Sequence, residues 1–205
     1  MHLKTFLPVV LIALPLSAFA QLGFNLSGFS TQYSNGNVGG YETYVVLPAG
    51  SLPQNYNSPW IDVAPTLGGV KVPYMLVNGG TSTAILWSEI LNVTGPNETF
   101  SYSGTSIYSG DTGSTAATIK LYVDGSAVGG VDTLVYNAPD PGELTPYSVQ
   151  LGNLSVGQHI ITLVDTNGAA GGNDFALAPA AVPEPPAFAV LGIGALALFK
   201  RRKRS

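Results

Sequence analysis

Apolar and polar residues along the chain alternate in short runs, and the runs are broken every eight to twelve residues by Gly, Pro, Asn or Asp. The segments between breaks are rich in β-branched and aromatic residues. That spacing predicts strands rather than helices. Eight strands are expected, over 41–47, 83–93, 98–107, 115–123, 133–137, 147–151, 159–164 and 174–178. In the run from His159 to Val164, Ile161 and Leu163 share one face, while Ile160, Thr162 and Val164 share the other. In the run from Thr118 to Val123, Tyr122 beside Val123 breaks a simple alternation, so both faces are expected to be partly buried. Asp124-Gly125 suits a tight hairpin turn after that run, and Asn167-Gly168 with Gly171-Gly172 supplies the positive φ angles of a loop. No stretch of the body shows a helical period and none repeats. The expected fold is therefore all-β: a single β-sandwich over residues 21–181.

The two ends follow different patterns. His2 and Lys4 precede an apolar run from Phe6 to Leu16 that contains two prolines. Ala18-Phe19-Ala20 then offers the small-x-small pattern of a signal peptidase site, with cleavage before Gln21. Residues 1–20 read as a signal peptide. At the other end stand Val182-Pro183-Glu184-Pro185-Pro186, thirteen residues without a polar side chain (Ala187 to Phe199), and the basic block Lys200, Arg201, Arg202, Lys203, Arg204. Thirteen helical residues span about 20 Å, short of a hydrocarbon core of about 30 Å. The basic block resists translocation and its long stems snorkel, so the run serves as a stop with the body outside.

This order of Val182-Pro183-Glu184-Pro185, apolar helix and basic terminus resembles the PEP-CTERM sorting domain of exopolysaccharide-producing Gram-negative bacteria. The resemblance covers residues 182–205. It implies a transmembrane helix, recognition by a membrane exosortase near Pro183-Glu184-Pro185, removal of the tail, and delivery to the cell surface or extracellular matrix. A looser resemblance covers residues 84–178. The phrases from Ile90 to Tyr102, Ile119 to Gly125 and Gly157 to Leu163 are similar to jelly-roll carbohydrate-binding modules, and the ending Asn173 to Leu177 is similar to the last strand of many jelly-roll cargoes of this sorting system. It implies a jelly-roll-like sandwich that binds extracellular polysaccharide and holds a structural calcium.

Composition narrows the chemistry. Five of the eight Lys and Arg lie in the basic block, and the body keeps only Lys71 and Lys120 against eleven acidic residues, a net of −9 where the whole chain shows −4. Such a body does not neutralise phosphates, which argues against nucleic acid. With no cysteine, disulfides, thiolate catalysis and Cys-based zinc sites are excluded. No Ser stands in a Gly-x-Ser-x-Gly turn, His159 is the body's single histidine, and no pair of acids is marked out for glycoside hydrolysis. A non-catalytic surface or matrix protein is the expectation, with a carbohydrate-binding module as the alternative and a glycosidase more remote. Asp165, Asn167, Asn173 and Asp174 bracket the Gly-rich loop and offer oxygen ligands to calcium, unless they form an ordinary solvated turn. Trp60 and Tyr56, in a Pro- and Asn-rich stretch, are the candidate sugar-stacking residues, whereas Trp87 lies mid-strand and is expected in the core.

Overall fold

In the computed structural model the described residues are 22–36, 38, 40, 42–56, 63–79, 83–106, 116–136, 140, 142–166 and 174–180. The chain's contacts divide it into one compact unit, Ala20–Glu184, and a second made of the two ends, Met1–Phe19 with Pro185–Ser205. The second unit lies outside the described residues, as do the signal-peptide positions Ala18, Ala20 and Gln21 and the whole C-terminal apolar run. Among the described residues no helix is long and apolar enough to cross a membrane.

The described unit is β-structure apart from one 3-10 turn at Pro53–Tyr56. In chain order the strands are β1 Leu22–Gly23, β2 Ser34–Asn35, β3 Thr43–Leu47, β4 Thr66–Leu67, β5 Val70–Lys71, β6 Tyr74–Asn78, β7 Ala84–Val93, β8 Thr99–Ser106, β9 Thr118–Val123, β10 Ser126–Thr133, β11 Thr145–Gln150, β12 Gly157–Asp165 and β13 Phe175–Pro179. A larger sheet runs β8-β13-β6-β3-β2, with β11 on the other edge of β8. A four-stranded sheet runs β10-β9-β12-β7, and β4 with β5 forms a separate hairpin. The two sheets pack face to face as a β-sandwich.

Alternation produces the core between them. Phe100, Tyr102, Phe175, Leu177, Met75 and Val77 from the larger sheet meet Leu86, Trp87, Ile119, Leu121, Ile161 and Leu163 from the smaller. Phe24, Trp87, Phe100 and Tyr102 form a chain of tilted rings with centroids 5.6, 5.6 and 6.5 Å apart, and Tyr147 stacks on Tyr102 at 5.2 Å. Such pairs contribute about 0.5–1.5 kcal/mol each beyond area burial. The larger sheet is buried on its second face as well, where Leu47, Tyr74, Leu76, Ala176 and Ala178 pack against Val38 and Leu144.

Two expectations about strands fail for identifiable reasons. The partner across the Asp124-Gly125 hairpin is β10, Ser126–Thr133, not a strand at 133–137. β10 is an exposed strand with a bulge at Gly129-Gly130, so it lacks an apolar stripe to read. β6 was not expected at all. Its residues Tyr74 to Val77 are apolar and buried on both faces, and a run without alternation has no period. In β9 the alternation is cleaner than the sequence suggests: Ile119, Leu121 and Val123 are buried and Tyr122 faces outward.

Candidate functional site

Three places gather polar chemistry. The first is the end of the sandwich where β6 leaves for β7, β8 for β9 and β12 for β13. Asp165 closes β12, fully buried, and its Oδ2 accepts a hydrogen bond from the Tyr33 hydroxyl at 3.0 Å. Asp174 stands just before β13, 1 % exposed, and neither carboxylate oxygen has a hydrogen-bond partner. Burial pushes its carboxyl up to about 7; the Gly79 backbone N–H opposes this only weakly, without full hydrogen-bond geometry. Neither aspartate is the solvated turn residue that one reading of the sequence offers. Asn167 and Asn173 lie outside the described residues, and no group of three or more His, Asp or Glu side chains is assembled among the described ones.

The second place is a groove of about 760 Å³ on the outer face of the larger sheet. Its floor is built by alternation in β8, where Thr99 and Ser101 lie on the sheet's outer face while Phe100 and Tyr102 enter the core; Ser103 and Thr105 share that outer side but are covered. Ser148 of β11 stands opposite Ser101, their hydroxyls 3.3 Å apart. Thr99, Ser101, Pro146 and Ser148 line the groove, Leu67, Gly68, Glu143 and Leu144 wall it, and Ala180 closes it after β13. Glu143 is a fastener for that wall. Its carboxylate accepts bonds from Thr66 Oγ1 at 2.6 Å and the Gly68 N–H at 2.6 Å, and the Thr66 bond leads in holding it below the usual carboxylate range. Among the described residues no Lys, Arg or His lines the groove, a surface that suits neutral, hydroxyl-rich ligands. The signal for it was present in the sequence as the stripe of hydroxyls at every second residue of Thr99–Ser106.

The third place surrounds His159, at the opposite end of the sandwich from Asp174. Its Nδ1 is 2.7 Å from Asp124 Oδ2, and its Nε2 is 2.9 Å from the Ser155 carbonyl and 3.4 Å from the Ser155 hydroxyl. The order Ser, His, carboxylate resembles a catalytic relay, but the proton placement differs. A carboxylate and a carbonyl only accept, so the two short contacts are both satisfied when the ring carries a proton on each nitrogen, and they favour the imidazolium form. The Asp124 bond raises the pKa of His159, with the Ser155 bond adding to it. An imidazolium has no lone pair with which to take a proton from serine. The bonds instead fasten the β9–β10 turn to β12, aided by the Ile160 N–H donating to Asp124 Oδ1 at 2.9 Å.

Of the proposed sugar-stacking residues, Trp60 lies outside the described residues, and Tyr56 ends the 3-10 turn with its side chain likewise outside. Trp87 is wholly buried, as its position in β7 implies. Val182, Pro183, Glu184, Pro185 and the block from Lys200 to Arg204 are also outside the described residues.

The sandwich thus ends, after β13, in a segment whose meaning is carried by sequence. Residues 181–204 match the PEP-CTERM protein-sorting motif. The chain is an exported protein that carries an exosortase sorting signal and is directed to the cell surface by way of the membrane. No curated protein matches the chain. Among solved structures, the catalytic domain of a GH87 alpha-1,3-glucanase in complex with nigerose is similar at 16% sequence identity and a TM-score of 0.25, over 56% of this chain and 24% of that one. The chain therefore spans about a quarter of that structure's length, and so loose a superposition carries no functional weight.

Proposed function

We propose that the protein is a non-catalytic component of the cell surface or extracellular matrix, acting by cohesion or adhesion after exosortase removes its tail. The observation that supports this most is the sorting motif beginning at residue 181, directly after the last strand, β13. His159 Nε2 lies nearer the Ser155 carbonyl, at 2.9 Å, than the Ser155 hydroxyl, at 3.4 Å, which speaks against a serine relay. Mass spectrometry of the protein from its native host is the test. A C-terminus near Pro183–Pro185 is expected, and an intact basic end refutes processing. Hydrolysis of matrix polysaccharide by the purified body refutes the non-catalytic reading.

A second reading, a carbohydrate-binding module, is favoured by the hydroxyl-floored groove. The described lining has no cationic side chain, and its one carboxylate, Glu143, is engaged by Thr66 and Gly68, which favours a neutral polysaccharide. Binding that weakens on Ser101→Leu is expected if the groove is the site. Sugar-dependent quenching lost in Trp60→Ala places it instead at the Trp60 and Tyr56 stretch, and silence toward glycans with and without calcium removes the reading. Calcium is the proposed ion. The unpartnered Asp174 carboxylate fits a cation, with Asp165, Asn167 and Asn173 as further oxygen donors. Calcium should then raise the thermal midpoint of the wild type and leave Asp174→Asn unchanged.

A further inference from the structure

The two ends of the described sandwich come together on one strand. β11 pairs with β8 from Thr99 to Gly104. On the other edge of β8, β13 pairs from Ser106 to Tyr102, ending with Pro179 opposite Tyr102. β1 takes the next two places on that same edge, with Gly23 opposite Ser101 and Leu22 opposite Phe100. β1 runs parallel to β8 and β13 antiparallel, so the chain enters before Leu22 and leaves after Pro179 at the Thr99 end. Leu22 and Pro179 sit two residues apart along β8, about 7 Å. Because β1 blocks the sheet edge ahead of it, the outgoing chain must turn aside at Ala180, which lies on the outer face beside Thr99 and Ser101.

The connections at this end are the 94–98 turn and the 151–156 loop. They are joined by the Leu151 N–H donating to the Glu98 carbonyl at 2.9 Å and the Asn97 N–H to the Gly152 carbonyl at 3.3 Å. The Glu98 carboxylate secures the turn from within through Thr94 and Gly95. The Asp124-Gly125 turn, fastened by His159, stands at the same end.

The sorting motif is close to this surface in chain length. From Pro179 to Pro183 there are four residues, an extended reach of about 14 Å at most. Pro179 stands opposite Tyr102, three residues or about 10 Å from the Thr99 end and four residues or about 14 Å from Ser106, and the chain leaves toward the Thr99 end. Because the chain leaves toward the Thr99 end, an enzyme that cuts near Pro183 meets the near end of a folded body, and reaching the far end would need the tether to double back along its full length.

We infer that the end formed by the 94–98 turn and the 151–156 loop is the surface the membrane-embedded sorting enzyme meets, so that cleavage takes place on the folded body with this end against the enzyme. The sandwich is then displayed with Asp165, Asp174 and their connections pointing away from the membrane. This inference rests on the sorting reading above and adds to it which face is engaged.

The chain has no cysteine, so single cysteines can be labelled uniquely. In spheroplasts of a host with inducible sorting enzyme, Asn153→Cys in the near loop and Thr83→Cys at the far end are coupled to a polyethylene-glycol maleimide. Loss of the tail from the full chain is then followed by immunoblot after induction. The bulky group at residue 153 is expected to slow cleavage several-fold, and the group at residue 83 to leave it near the unlabelled rate. A spacer of about twelve Gly and Ser residues before Val182, adding about 19 Å of root-mean-square reach, should restore cleavage of labelled Asn153→Cys. That rescue separates steric proximity from damage to the fold. Equal cleavage of the two labelled forms without a spacer overturns the inference and leaves the sorting reading intact. Failure of the unlabelled wild type to be cut overturns both.

Discussion

Replacing Asp174 by Asn should stabilise the protein, and by an amount that depends on pH in a defined way. The side chain is 1 % exposed with both oxygens unpartnered, and its carboxyl is pushed from an ordinary 3.8 up to about 7. The unfolded chain gives up this proton near pH 4, whereas the folded chain holds it to near neutrality. Below pH 4 the group is neutral in both states and costs nothing. As pH rises from 4 to 7 the unfolded state is favoured progressively, and above 7 the full difference applies. About three pH units at 1.36 kcal/mol each give a penalty of about 4 kcal/mol. Asn has nearly the same shape and no charge to desolvate. Urea unfolding of residues 21–181 in chelator, followed by tryptophan fluorescence, is the assay. With a slope of about 2 kcal/mol per molar urea, the midpoint of Asp174→Asn should exceed that of the wild type by up to about 2 M at pH 8 and match it at pH 4. Saturating calcium should reverse the order at pH 8 if the ion seats on Asp174, since only the wild type then gains. A variant that is no more stable than wild type at pH 8 in chelator refutes the account of a buried, unpaired carboxylate.

Gly28 has φ of +26°, and a Cβ there would lie 2.4 Å from Glu89 Cγ and 2.6 Å from the Trp87 indole nitrogen. Gly28→Ala should cost about 1–3 kcal/mol through overpacking, read as a lower thermal midpoint. Glu143→Gln weakens the bonds that hold the β4–β5 hairpin, at a cost of about 1–2 kcal/mol, and should speed amide exchange at Gly68 while leaving β12 protected. His159 has a raised pKa and Asp124 a lowered one. Their mutual stabilisation is complete between the two ranges, is lost as pH rises through the raised imidazole pKa, and is lost again as pH falls through the lowered carboxyl pKa. An NMR titration should place His159 above its ordinary value, and Asp124→Asn should bring it down.

How legible these features were in the sequence depended on whether a residue's environment is set by its neighbours in the chain. The sorting tail was wholly legible, because apolar length, prolines and a basic block act through linear order. β12 was legible because one face is buried and the other is not, which writes a period of two into Ile160 to Leu163. β6 was hidden because a second core covers its other face, and that core draws on Val38 and Leu144, residues far away in sequence, as well as on the β4–β5 hairpin just before β6. The hydroxyl stripe of β8 was visible, but its conversion into a groove needed Ser148 from β11 and the wall pinned by Glu143.

Asp174 shows the same division most sharply. The sequence offered it as one oxygen donor in an acidic, Gly-rich loop. Its burial without a partner is a consequence of sheet packing, since desolvation depends on what surrounds a group in space. By itself the sequence determined that this chain is exported, carries a sorting signal, and folds as an all-β body. Only the tertiary structure decided that both ends of that body emerge beside each other on β8, because strand order in a sheet is fixed by pairing between residues almost eighty positions apart, as for Leu22 and Phe100, and not by local pattern.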